Sequence, residues 1–131
     1  MDSLLFERLR DAAAQVFEGS AVIFAYLFGS ARTGRTHPTS DLDIGVYVEP
    51  TVASDSFLAL SLQLAQRFSD ASGVGDTDIL ILNQAPLPIL GRVIRERVVL
   101  YSRNEPTRIR FESRTLREFF DFDFHARQLD Q

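Results

Sequence analysis

The chain has 131 residues, room for one domain of ordinary size, and 45% of them are hydrophobic, enough to bury a core. It holds no cysteine, which excludes disulfides and a thiolate zinc site, and its net charge of −4 argues against a protein that grips a long polynucleotide through a basic face. The longest apolar run, residues 21–28, falls far short of the roughly 20 residues a membrane span takes. Charges interrupt the N-terminal apolar residues at helical spacing, so that segment does not read as a signal peptide. A soluble, cytoplasmic protein is expected, without membrane attachment and without stable nucleic-acid binding. Arg92, Arg95, Arg97, Arg103, Arg108, Arg110, Arg114 and Arg117 favour the C-terminal half and leave room for a local basic patch.

Residues 3–18 place Leu5, Leu9, Ala12, Ala13, Val16 and Phe17 at helical spacing, with Asp2 or Ser3 as N-cap and Gly19 as the stop. Residues 21–28 (AVIFAYLF) form a continuous β-branched and aromatic run, which predicts a strand buried on both faces. Residues 29–40 are rich in Gly, Ser, Thr and Pro without periodicity and predict a loop. Residues 42–49 predict a second strand, closed by Pro50.

Ser54 or Asp55 is expected to cap a helix that carries Phe57, Leu58, Leu60, Ser61, Leu64, Ala65 and Phe68 toward the core and ends near Gly73. Residues 78–82 (DILIL) predict a third strand. Residues 85–96 predict a short helix with Pro86 and Pro88 in its first turn, where proline is tolerated. Residues 98–101 predict a fourth strand, and a polar and aromatic helix follows from Pro106 to about Leu129. The order predicts a single α/β (α+β) domain over residues 1–131, a small mixed β-sheet flanked by helices. Residues 103–131 form a C-terminal helical extension and a candidate partner-binding segment. Within it, Phe119, Phe120, Phe122 and Phe124 cannot all face one side of a helix, so some are expected to meet another chain or fold back.

The one long connection, between the first two strands, is the kind that usually carries function. Gly29 lets the backbone approach a ligand, so the N–H groups beyond it and the Ser30 hydroxyl can meet a phosphate. Gly-Ser after a strand is also a common turn, and the pair alone says little. Asp41 and Asp43 lie at i and i+2, the same face of a strand. Two such carboxylates repel, and a hard divalent cation such as Mg²⁺ between them explains the pair better than a solvated strand end. Asp78 opens the third apolar strand and can reach a neighbouring strand's face, although Asp76, two residues earlier, competes for that role. Three carboxylates from two adjacent strands suit two metals about 3.5–4 Å apart for in-line phosphoryl displacement.

The string LFGSARTG at 27–34 followed by SDLDI at 40–44 resembles the signature of the DNA polymerase β-like nucleotidyltransferase superfamily. The spacing of Gly-Ser, ten residues and Asp-x-Asp is similar to that of its minimal nucleotidyltransferase (MNT) subgroup. DILILNQAP at 78–86 resembles that subgroup's third-carboxylate strand, and the likeness extends to about Tyr101. One departure is Ile81, where members often carry a second acidic residue.

The resemblance implies a polymerase β-like nucleotidyltransferase fold and a two-metal Mg²⁺ site held by Asp41, Asp43 and Asp78. It further implies ATP as nucleotide donor, with Gly29 and Ser30 on its β- and γ-phosphates. Asp78 would help take the proton from the attacking hydroxyl. Arg32 is a candidate phosphate contact, Arg35 a weaker one, and His37 is expected to face solvent. His125 is expected to have no catalytic part, and Tyr26, Tyr47 and Tyr101 to pack in the strands.

A chain this short has no evident acceptor-binding domain, so a partner is expected to bring the acceptor or to be it. MNT proteins resemble the antitoxin half of pairs whose toxin is a HEPN-type RNase. The resemblance therefore implies a protein adenylyltransferase that moves AMP from ATP onto a toxin tyrosine and forms a hetero-oligomer with that toxin. Two alternatives stand beside it: an antitoxin that acts by binding alone, and a stand-alone adenylyltransferase of a small molecule such as an aminoglycoside.

Overall fold

The computed structural model describes residues 3–29 and 42–129. In chain order it contains α1 (Ser3–Phe17), β1 (Val22–Phe28), β2 (Leu42–Val48), α2 (Phe57–Ser72), β3 (Thr77–Ile81), α3 (Leu87–Glu96), β4 (Val98–Ser102) and α4 (Glu105–Leu129). The strands make one sheet in the order β3-β2-β1-β4. β1 pairs antiparallel with both β2 and β4, while β2 pairs parallel with β3 across the α2 crossover. The sheet is therefore mixed and flanked by helices, as the element order predicts.

Every residue of β1 is buried, which fits a central strand covered on both faces. One core joins Leu9, Ala13 and Phe17 of α1 and Leu64 and Phe68 of α2 to Val22, Ala25 and Leu27 of β1 and the even-numbered residues of β2. The other joins Phe24, Tyr26 and Phe28 of β1 to Val93 and Ile94 of α3 and Phe111 of α4. Period-two alternation sends Leu42, Ile44, Val46 and Val48 to the first core and turns Asp43 and Tyr47 the other way.

The start of α2 differs from expectation. A 3-10 turn at Ser54–Ser56 precedes it, and its N-cap is Ser56, with no side-chain capping bond. Ser54 and Asp55 lie inside that turn, two positions and one position too early to cap. Leu58, expected in the core, is 72% exposed. The buried stripe of α2 is Leu64, Phe68 and Ser72, and at about 100° per residue Leu58 falls roughly 80° from the middle of that stripe, on its flank. The helix ends as expected at Gly73, in a left-handed conformation.

α4 begins at Glu105, one residue before the expected start. It crosses α3 closely: a Cβ on Gly91 would collide with the Phe119 ring, so only glycine admits that ring. Phe119 thus folds back onto the body, whereas Phe120, Phe122 and Phe124 are half exposed or more. No helix among the described residues is long and apolar enough to cross a membrane.

Candidate active site

Three strand positions converge at one end of the sheet. Phe28, the last residue of β1, pairs with Asp43 of β2, and Asp43 pairs in parallel register with Asp78 of β3. Residues in register on adjacent strands about 4.8 Å apart present their side chains to the same face. Asp43 is half-buried and Asp78 exposed. Asp76 precedes β3, and its carbonyl accepts the Leu42 N–H at 2.9 Å, so its backbone closes the β2–β3 ladder while Asp78 stands opposite Asp43.

Gly29 continues directly from β1. Its φ of +79° lies in the left-handed region, and a Cβ there would collide with the Asp43 carboxylate. The absent side chain thus lets the backbone turn against that carboxylate. Ser30, Arg32, Arg35, His37 and Asp41 lie outside the described residues.

A further carboxylate at this corner, from α3, was missed in the sequence. Glu96, the last residue of α3, accepts the Gly29 N–H through Oε1 at 3.0 Å. Arg92, one turn earlier, ion-pairs with Glu96 (Nε to Oε1, 3.4 Å), and its guanidinium carbon stands 5.9 Å from the centre of the Phe28 ring. In sequence these are an ordinary i, i+4 charged pair on an amphipathic helix. Only the tertiary fold, which brings position 96 to position 29, gives them a place at the site.

Beneath the same face lies a buried polar knot that was also missed. Glu112 of α4 receives the Tyr26 hydroxyl (2.7 Å) and Arg108 Nη1 (2.6 Å) on Oε2, and Arg97 Nη2 (3.1 Å) on Oε1. Burial, then the bond to Glu112, pushes the Tyr26 phenol far above its usual range. Tyr26 packs as expected, but its hydroxyl also ties the sheet to α4. Further along that face, Arg110, Arg114 and Arg117 of α4 line a cavity of about 450 Å³ with Tyr47 and Phe111, the local basic patch for which the arginine distribution left room.

Among the described residues no three His, Cys, Asp or Glu side chains gather as a ready metal cage. Asp43 and Asp78 do supply hard oxygen donors from neighbouring strands on one face, a donor set that fits a divalent cation of the Mg²⁺ kind. A backbone segment turning at a glycine beside two such carboxylates can bring phosphate oxygens to a cation.

The family model for "Polymerase beta, Nucleotidyltransferase" matches residues 12–106. No curated protein matches the chain significantly. Among solved structures, a chain of a toxin–antitoxin with AMP-PNP superposes with a TM-score of 0.72 at 20% identity, covering 92% of this chain and 94% of that one. A chain from the complex of tri-AMPylated Shewanella oneidensis HEPN toxin with MNT antitoxin gives 0.70 at 17% identity, covering 95% and 94%. A putative nucleotidyltransferase from Sulfolobus solfataricus gives 0.50 at 21% identity, covering 76% and 82%. At such identities the likeness establishes a common fold. With the family model spanning most of its length and the sheet corner built around Asp43 and Asp78, the chain belongs to the polymerase beta nucleotidyltransferase family.

Proposed function

We propose that this chain is an MNT antitoxin that transfers AMP from ATP to a tyrosine hydroxyl of a cognate HEPN-type RNase toxin and so silences it. The observation that carries the chemistry is the register pairing of Asp43 with Asp78 beside Gly29, within a nucleotidyltransferase family match. The choice of target draws on likeness to chains from toxin–antitoxin structures, one with AMP-PNP and one with a tri-AMPylated HEPN toxin.

In this reading Asp43 and Asp78, joined by Asp41, hold Mg²⁺. The cation, when bound, neutralises charge on the triphosphate and on the displaced pyrophosphate. Ser30 and Arg32 meet the β- and γ-phosphates where the chain leaves Gly29. The toxin hydroxyl oxygen bonds to the α-phosphorus, the bond from that phosphorus to the bridging oxygen breaks, and pyrophosphate departs. The hydroxyl proton passes to the Asp78 carboxylate. Most of the rate comes from positioning and charge neutralisation, because the phosphoryl group needs little covalent help. The C-terminal extension at 103–131, with Phe120, Phe122 and Phe124 exposed, serves as the docking segment for the toxin.

Incubation with Mg²⁺, α-labelled ATP and the protein encoded beside this one tests the reading. Label on a tyrosine of that neighbour, lost when Asp41→Asn and Asp43→Asn are combined, is the expected result. A neighbour that stays unlabelled and is neutralised equally well by the double variant would sink the catalytic claim and leave a binding antitoxin.

A further inference from the structure

We infer that Glu96 is a positioning residue for the nucleotide loop: its carboxylate fixes Gly29 against Asp43 and so sets the direction in which the chain leaves β1 toward Ser30. The role deepens the AMP-transfer reading and rests on it.

Gly29 is held from two sides. Its Cα side lies so close to the Asp43 carboxylate that no Cβ fits, while its N–H points to Glu96 Oε1 at 3.0 Å. The N–H is thereby committed to a protein acceptor, so phosphate contacts fall to groups further along the loop. Gly29 is buried, and without Glu96 its N–H loses the acceptor it has here. A bond to an ionised acceptor is stronger than a neutral one and is directional, which suits a glycine that otherwise has wide conformational freedom.

Glu96 is itself braced. It closes α3, and the next residue, Arg97, donates to the Ile94 carbonyl at 2.6 Å and pairs with Glu112 of α4 at 3.1 Å. The end of α3 is thus pinned to α4 on one side and to the nucleotide loop on the other. A carboxylate near a triphosphate would by itself repel it. Arg92 offsets this charge at 3.4 Å, and with 54% of its side chain exposed it remains open to a phosphate oxygen.

Three variants separate geometry from charge. Glu96→Gln keeps an oxygen acceptor at the same reach and drops the charge. Glu96→Asp keeps the charge and draws it back by one methylene, and Glu96→Ala removes both. Binding of ATP with Mg²⁺ by calorimetry, the amide resonance of Gly29 and its hydrogen exchange are read beside AMP transfer. Loss of a hydrogen bond to a charged group predicts that Glu96→Ala and Glu96→Asp weaken ATP binding about tenfold or more and speed exchange at Gly29. Glu96→Gln is expected to restore both to within about threefold, since its amide oxygen still accepts the bond.

If wild type and Asp43→Asn alike fail to bind ATP or transfer AMP, the functional reading itself falls. If wild type is active and Asp43→Asn is not, but Glu96→Asp binds ATP like wild type with an unchanged Gly29 amide, the role assigned to Glu96 is overturned. Glu96→Asp decides the matter even where Glu96→Ala does not fold. Equal impairment in Glu96→Gln and Glu96→Ala overturns it as well, because charge rather than reach would then be what matters.

Discussion

The two faces of the sheet are built from the same strands to opposite specifications. Toward α1 and α2, β2 contributes Leu42, Ile44, Val46 and Val48, packed against Leu9, Phe17, Leu64 and Phe68. Toward α3 and α4, the alternate residues of β2 are Asp43, Gly45 and Tyr47, and the cover includes Phe111 beside the Glu112 knot. The first face is shape-filling and tolerant: its energy is spread over many small apolar contacts. The second concentrates energy in a few directional bonds and carries Asp43, half-buried, and Asp78, exposed, at the sheet corner. A strand with one aliphatic face has its other face free for chemistry, and strand alternation allows both in seven residues.

That contrast predicts unequal costs of truncation. Glu112→Ala leaves the Tyr26 hydroxyl and the Arg108 and Arg97 guanidinium groups without their common acceptor, and breaking a buried pair from one side costs about 3–5 kcal/mol. Ile44→Ala on the aliphatic face removes a fully buried side chain at about 2–5 kcal/mol, the spread depending on how far the cavity collapses. Urea unfolding of the two variants tests the comparison. Glu112→Ala should unfold earlier, and a Tyr26→Phe, Glu112→Ala double variant should cost less than the sum of the two single ones, because both act on one bond. Additive costs would mean that the knot is not a unit.

Gly91→Ala probes the second face by overpacking. The added Cβ would occupy the place of the Phe119 ring, so α4 must shift or Phe119 must leave, at about 1–3 kcal/mol. Pairing it with Phe119→Ala should make the Cβ harmless, so that Gly91→Ala costs little on that background. A full penalty there would place the strain elsewhere than the α3–α4 crossing.

Local pattern made most of the fold legible. β1 reads as a doubly covered strand because all of residues 22–28 are apolar or aromatic, and α2 stops where Gly73 takes up a left-handed conformation. Asp43 and Asp78 stand out as carboxylates in apolar runs, and their alignment follows once β2 and β3 are parallel neighbours. Glu96 was illegible for the opposite reason. It sits among Arg92, Arg95 and Arg97 at the end of an amphipathic helix, where a charge is the usual occupant, and its bond spans 67 residues. Glu112 was hidden likewise in a helix rich in Arg and Glu, and nothing in its spacing announced a buried tyrosine 86 residues away. The exposure of Leu58 was missed because apolar residues crowd both sides of α2, so periodicity alone did not fix its phase.

The smallest expected effect lies at the rim of the polar knot and carries a definite sign with pH. The Arg108 guanidinium grips Glu105 through two bonds, at 2.6 Å and 2.7 Å, and holds its carboxyl down at about 2, against an ordinary value of 4.5. A carboxylate depressed in the folded state stabilises the fold above its unfolded pKa, and that contribution fades as pH falls through the folded one. The window therefore runs from about 4.5 down to about 2. The Glu105 side chain is 55% exposed, so solvent and salt screen the pair and the gain is far smaller than the shift in pKa suggests. Glu105→Gln should flatten the acid limb of a stability-versus-pH curve within that window, by lowering stability slightly at neutral pH while leaving it unchanged at the acid end. Raising ionic strength should reproduce part of the flattening in wild type, while leaving the penalty of Glu112→Ala largely intact because that bond is buried. Equal salt sensitivity of the two would erase the distinction between rim and knot on which the second face depends.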